Sequence, residues 1–387
     1  MSLAERVIAC CRELALCTEE PGRTTRTFLS PPMREVHRLL GQWMESLGVR
    51  VTVDAAGNLR GLHGNPRAPR LLIGSHLDTV PDAGAFDGVL GVVLGIAMIE
   101  SRPRMAVEVV GFSEEEGVRF GLPFIGSRAL AGTLDRAALD RVADAIRAFG
   151  LDPAEIPAAR LARETVAHLE FHIEQGPVLE SLGLPLGVVD AIAGQSRFLL
   201  TFEGRANHAG TTPMSLRRDA LAAAAEWIAR VESMANRTAG LVATVGSLDV
   251  APNAGNVIPG RVRASLDVRH GCDRQRQVAA QSLLAVAAEI CARRGIALTH
   301  ETRLDQPAVI MNAELVAMLT QDVEHRMTSG AGHDAMILAP HVPSIMLFLR
   351  SPGGISHHPG ESVLPEDVEA AIDAGRRFIE RLEAKHV

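Results

Sequence analysis

Apolar runs bounded by charged or turn-forming residues recur along this chain, and their period changes from place to place. Val49 to Leu62, Leu71 to Ile73, Ala106 to Phe112 and His168 to Ile173 read as strands, Leu71 to Ile73 and Ala106 to Phe112 as buried ones. Between them the apolar positions return at helical spacing. Residues 1–48 read as helical, with Pro31-Pro32 as a start signal ahead of Met33 to Leu47, and Gly88 to Glu100 reads as a further helix. Strand and helix alternating in this way predict a layered α/β domain. From Ser196 the order changes: Arg197 to Phe202 is strand-like, Ser215 to Met234 an Ala-rich helix, Leu241 to Val250 and Arg261 to Arg269 strands, Arg274 to Arg293 a helix, and Ile296 to Thr302 a strand. That is the βαββαβ order of a ferredoxin-like domain. After about residue 305 the first style resumes, with Ser344 to Leu349 a buried strand and Pro365 to Ala384 a closing helix. The expected architecture is therefore an α/β domain of residues 1–195 and 305–387, with residues 196–304 inserted as a ferredoxin-like domain.

Composition sharpens this picture at a few points. A chain of 387 residues exceeds what one core serves, since single cores stop growing near roughly 250–300 residues, so two domains are expected. A net charge of -7 with no basic stripe argues against nucleic acid and anionic membrane, and leaves a small molecule as the expected partner. The five cysteines are odd in number and lack CxxC spacing, so they read as reduced packing residues. Val89 to Ile99, the longest apolar run, is far below the ~20 residues of a membrane span, and the first residues lack a charged segment followed by an apolar one. A cytoplasmic enzyme is the expectation.

The candidate chemistry sits at strand ends. His76 and Asp78 lie in Gly74-Ser75-His76-Leu77-Asp78-Thr79-Val80, Asp87 in Phe86-Asp87-Gly88, and three carboxylates in Glu114-Glu115-Glu116-Gly117. Open α/β sheets hold their ligands at such ends, and imidazole gathered with carboxylate is the donor set of a divalent transition metal. Asp78 is placed to hold the second ring nitrogen of His76. Alone, Asp87 reads as a helix N-cap, and the Glu run as a solvated acidic turn. Beside a metal, one Glu ligates while its neighbour works on the bound water. His172, in Leu169-Glu170-Phe171-His172-Ile173-Glu174-Gln175-Gly176, reads on its own as a buried structural histidine. Of His357 and His358, which follow Gly353-Gly354-Ile355-Ser356, one is expected to reach an ion. In the inserted domain His208, in Asn207-His208-Ala209-Gly210, is either a loop histidine or an oxyanion partner. Asn256 and Arg269 are the other polar groups there that suit a substrate, Arg because its planar fork pairs with a carboxylate.

Taken together, GSHLDTV, FDGVLGV, EEEGVRF, FHIEQGPVLE, HAGTTPM with RRDAL, NVIPG with DVR, SGAGHDA and GGISH resemble the hydantoinase/carbamoylase branch of the di-zinc aminoacylase and carboxypeptidase superfamily. They run from residue 74 to 357 in the order of that family. The resemblance implies a di-metal hydrolase domain with an inserted lid and dimerisation domain. It makes His76, Asp87, Glu116, His172 and His357 the ligands of two divalent ions, with Asp87 bridging and Glu115 the general base. The position after GISH is usually Asn in the family, which selects His357 over His358. Peptidase relatives carry a carboxylate where this chain has His172. The resemblance also gives Gln175, His208, Asn256 and Arg269 to the substrate, with the lid histidine coming from the partner subunit of a homodimer.

The reaction so implied is hydrolysis of a carbamoyl or ureido C–N bond, in an N-carbamoyl-L-amino acid or in allantoate. Zinc or manganese is expected, with cobalt or nickel accepted by the same donors. Two rival readings exist. A dipeptidase or N-acyl-amino-acid deacylase shares the metal chemistry but fits GISH and HIEQG poorly, and a catalytically silent binding protein is disfavoured because no expected ligand is missing.

Overall fold

The computed structural model describes residues 1–386. The chain divides into two compact units, one of Met1–Asp190, Met311–Met327 and Gly332–Val387, the other of Ala191–Ile310 and Thr328–Ala331. The expected insert, 196–304, thus begins five residues late (196 against 191) and ends six early (304 against 310), and a short return segment joins the second unit.

In the first unit, strands Arg70–His76, Ala106–Phe112 and Thr165–Ile173 lie parallel to one another, with Ser344–Leu349 parallel to the last of them. Every position of Arg70–His76 and Ala106–Phe112 is buried, as expected of strands covered on both faces. Helix Val89–Ile99 is apolar and buried all round, which places it inside, against strand Arg70–His76 and helices Leu3–Ala15 and Pro365–His386. Because the strands are parallel, their carboxyl ends share one edge of the sheet. That edge receives His76, the Glu114–Glu116 turn, His172 and the loop after Leu349.

Three readings of the sequence need correction here. Val49 to Leu62 is a hairpin of Arg50–Val53 and Leu59–His63, reversed where Asp54 accepts the N–H groups of Ala56 and Asn58 and Gly57 takes φ +84. Leu241 to Val250 is likewise two strands, Val242–Thr244 and Leu248–Ala251, both pairing Arg261–His270. Strand Leu186–Ile192, antiparallel to Ser344–Leu349, was not expected.

In the second unit the antiparallel order is Leu248–Ala251, Arg261–His270, Gly194–Glu203, Ala297–Gln306, the strand order of a ferredoxin-like βαββαβ sheet. Helices Ala220–Arg237 and Asp273–Arg294 pack together and against this sheet, burying Phe202, Trp227, Leu266 and Leu283. The indole N–H of Trp227 donates to the Leu283 carbonyl at 3.0 Å, which satisfies the one polar atom of that core residue. A separate two-stranded ribbon pairs Asn207–His208 with Val257–Ile258. Among the described residues no helix is long and apolar enough to cross a membrane, and all five cysteines are free.

Candidate metal centre

His76 ends its strand, His172 is the penultimate residue of the neighbouring one, and both rings are buried. Nδ1 of His76 lies 2.9 Å from the Asp78 carbonyl oxygen and Nδ1 of His172 2.9 Å from the Ile173 carbonyl oxygen. A carbonyl only accepts, so both Nδ1 atoms carry hydrogen and both Nε2 atoms are turned inward. Those Nε2 atoms are 3.5 Å apart. The expected bond from the Asp78 side chain to the His76 ring is not made, because its nearest oxygen is 3.6 Å away. Asp78 holds the ring with its backbone, while its carboxylate accepts the N–H groups of Glu115 at 3.0 Å and Glu116 at 3.1 Å. Glu115 and Glu116 are thereby set by the same residue that orients His76.

Asp87 is not a helix cap. Gly88 takes the cap position of helix Val89–Ile99 without a side-chain bond, and the Asp87 carboxylate points to imidazoles instead. Its Oδ1 is 3.3 Å from His172 Nε2 and 4.0 Å from His76 Nε2, and its Oδ2 is 3.2 Å from His357 Nε2. Gly88 is required at φ +65, since a Cβ there would stand 2.4 Å from His76 Nε2. His357 also approaches Glu116 Oε1 at 3.4 Å, and its backbone takes the left-handed φ of +55, as does that of Gln175 at +58. His358 turns away, its Nδ1 accepting the Gly360 N–H at 3.0 Å. Gln175 Nε2 donates to both Asp87 oxygens, at 3.1 and 3.2 Å.

The donors fall into two triads, His76 with Asp87 and His172, and Asp87 with Glu116 and His357, in each of which the ligand atoms lie within 4.8 Å of one another. Asp87 belongs to both. The electrostatics call for positive charge between these groups. Burial opposes charge on Asp87, yet the imidazoles of His357, His172 and His76 hold its carboxyl below the usual range. Bonds to Asp87 and Glu116 push His357 up to about 10. Burial disfavours charge on His76 too, but Asp78, Glu115 and Asp87 raise it well above an ordinary imidazole. Buried carboxylates and inward-facing ring nitrogens fit divalent cations at the two triads.

Glu115, which joins His76 and Glu116 in a third grouping, is held well above the usual carboxyl range, by burial first; His76 opposes this, and Glu116, Asp334 and Asp78 reinforce it. Asp334 went unremarked in the sequence, although SGAGHDA contains it. Its fully buried carboxyl is pushed up to about 7 by burial, against the pull of Ser127 and His76 and with the push of Asp78 and Glu116. Glu170 accepts the neighbouring Ala335 N–H at 2.8 Å, and the His333 ring sits edge-on to His172 with centroids 4.5 Å apart. Only their alternation with His172 and their place in a quoted motif signalled these residues.

In the second unit His208 and Asn256 come together on the small ribbon, where the Ala209 N–H donates to the Asn256 carbonyl at 2.9 Å. Nδ1 of His208 accepts the N–H groups of Gly210 at 3.0 Å and Thr211 at 3.2 Å. Arg269 lies apart from them on strand Arg261–His270, paired with Asp267 at 3.0 Å and donating to the Gly330 carbonyl at 2.6 Å. Arg197 shares Asp267 at 2.9 Å, so two guanidinium groups face one carboxylate.

Residues 72–381 match the peptidase family M20/M25/M40. The chain belongs to that family. Within it, the chain falls in the hydantoinase/carbamoylase branch. It is 42% identical to the N-carbamoyl-L-amino acid amidohydrolase of Geobacillus stearothermophilus over 394 residues, covering 95% of each chain. Allantoate deiminase 2 of Glycine max is 38% identical over 433 residues, covering 98% of this chain and 90% of that one. The crystal structure of an amidase of the hydantoinase/carbamoylase family from Burkholderia multivorans superposes with a TM-score of 0.90 at 30% identity, over 97% of each chain.

Proposed function

We propose that this family member is a metal-dependent amidohydrolase that cleaves the carbamoyl or ureido C–N bond of an N-carbamoyl-L-amino acid or of allantoate. The observation that carries the reading is the pair of triads sharing Asp87, with the buried Glu115 grouped beside them with His76 and Glu116. The identities with an N-carbamoyl-amino-acid amidohydrolase and an allantoate deiminase over almost the whole chain support the choice of bond.

In this reading His76, Asp87 and His172 would hold one ion and Asp87, Glu116 and His357 the other, zinc or manganese first, cobalt or nickel by the same donors. When bound, such ions would polarise the substrate carbonyl and make a water more acidic. Glu115 takes the proton of the attacking water and returns it to the departing nitrogen, the task of a positioned general acid/base. His208 accepts two N–H groups at Nδ1, so its proton sits on Nε2, and the ring offers one N–H to a developing oxyanion. Gln175, Asn256 and Arg269 bind the substrate, and Arg269 anchors its carboxylate; two guanidinium groups against Asp267 leave positive charge to spare. A homodimer in which His208 is supplied by the second copy completes the proposal. A cytoplasmic setting is part of the proposal.

The test is a substrate panel. Carbamoyl-, ureido- and acyl-amino acids, dipeptides and the amides of each carboxylate are offered to enzyme loaded with zinc, manganese, cobalt or nickel. Turnover of carbamoyl or ureido acids, with dipeptides untouched, is expected. Hydrolysis of dipeptides alone overturns it.

A further inference from the structure

Asp87 and His357 reach the same triad from loops far apart in the sequence, and one side chain touches both loops. Glu361, only 6% exposed, accepts at Oε1 the backbone N–H of Phe86 at 2.8 Å and that of Asp87 itself at 3.0 Å. Its Oε2 lies 3.4 Å from the hydroxyl of Ser356, the residue before His357, and its own N–H donates to the His358 carbonyl at 3.0 Å. Space is kept for it: a Cβ on Gly84 would stand 2.4 Å from the Glu361 Cβ.

We infer that Glu361 is a positioning residue that ties the loop of Asp87 to the loop of His357 and so sets the spacing of the Asp87, Glu116 and His357 triad. Phe86 and Asp87 are both buried, so without this carboxylate their N–H groups lose their acceptor where water does not replace it. The Asp87 backbone is then free to turn. Asp87 serves both triads, but the His357 triad has two of its three ligands on the tied loops and suffers more. Outer partners of metal ligands are typically worth about 10–100-fold in metal affinity.

The inference rests on the metal reading above, and its test separates the two. Cobalt(II) or zinc is titrated into metal-stripped full-length protein against a chromogenic chelator, with the cobalt absorption spectrum recorded. Glu361→Ala is expected to weaken the weaker binding step by about 10–100-fold and to alter the cobalt spectrum. Glu361→Gln, which keeps an acceptor oxygen at the same reach, restores most of the affinity, a recovery that general destabilisation does not predict. Gly84→Ala, which pushes Glu361 aside, repeats the loss. Should the Ala variant fail to fold, Glu361→Asp withdraws the acceptor by one methylene and reads the same difference. Wild-type affinity and spectrum in Glu361→Ala, or in Glu361→Asp where that variant stands in, overturn the inference while leaving the metal reading intact. A wild-type protein that binds neither ion refutes the metal reading, and the inference with it.

Discussion

Nε2 of His76 lies 3.5 Å from Nε2 of His172, and the other nitrogen of each ring is already committed to a backbone carbonyl. Two unprotonated ring nitrogens aimed at one point suit a cation there. Elemental analysis of gently purified protein is expected to find about two divalent ions per chain, as a two-metal site requires. Asp87→Asn, which touches both triads, loses both, whereas His172→Ala loses one. Equal loss in the two variants refutes the sharing of Asp87.

Glu115 and Glu116 are neighbours with different tasks. Glu115→Gln is expected to keep its metal and lose about 10²–10⁴-fold in turnover, the usual worth of a positioned acid/base. Glu116→Gln instead weakens the metal with His357. Metal titration beside kcat measurement distinguishes them, and exchanged phenotypes mean that the roles are reversed.

Gly88 is the tightest steric point of the centre. Gly88→Ala places a methyl against the His76 ring and puts an alanine at φ +65 and ψ -55, a backbone that L side chains rarely adopt. A lower melting temperature together with weakened metal binding at His76 is expected. Unchanged values in both show that the loop relaxes freely.

Acid should destabilise the fold through two histidines remote from the metal ligands. Burial lowers His168 to about 3, and His37 to about 4, where Arg26 and Arg34 add to the effect. Both are neutral when folded and take up a proton near 6.5 when unfolded, so their contribution is complete above that pH and lost as pH falls toward 4 and 3. By pH 5 the loss is about 2 kcal/mol for each. Urea midpoints at pH 7.5 and pH 5 measure it, and His168→Leu is expected to narrow the gap. A gap unchanged in that variant removes His168 from the account.

The lid proposal gives a mixing experiment. His208→Ala and Glu115→Gln chains, each inactive alone, are expected to regain partial activity together if His208 acts in the partner's site. Mixtures that stay inactive while subunit exchange is shown directly rule out sharing.

Much of the centre was legible because its chemistry is carried by short local signals. Ala106–Phe112 ends where the apolar run ends, and the Glu turn follows at once. What escaped the sequence was set by long-range geometry. The backbone carbonyl of Asp78, rather than its carboxylate, orients His76, and side-chain identity says nothing about a carbonyl. Glu361 reads as an ordinary acidic loop residue, because its partners are N–H groups 275 and 274 positions away. The hairpin at Asp54 reads as one strand because its turn, Asp54 to Asn58, is short and lies between two strand-like runs.

The long segment of the second unit begins and ends on paired backbone: Ala191 faces Ile310 and Ile192 faces Val309, antiparallel. The two ends of this segment are thus zipped together, and only the short return segment Thr328–Ala331 joins the unit from elsewhere. To the host sheet, some 120 residues cost little more than a short loop, because closure entropy grows only slowly once the ends are joined. With this stem, residues 193–308 are closed off by a two-residue pairing, so the length of chain between them adds little closure cost to the strand edge that gathers His76 and His172.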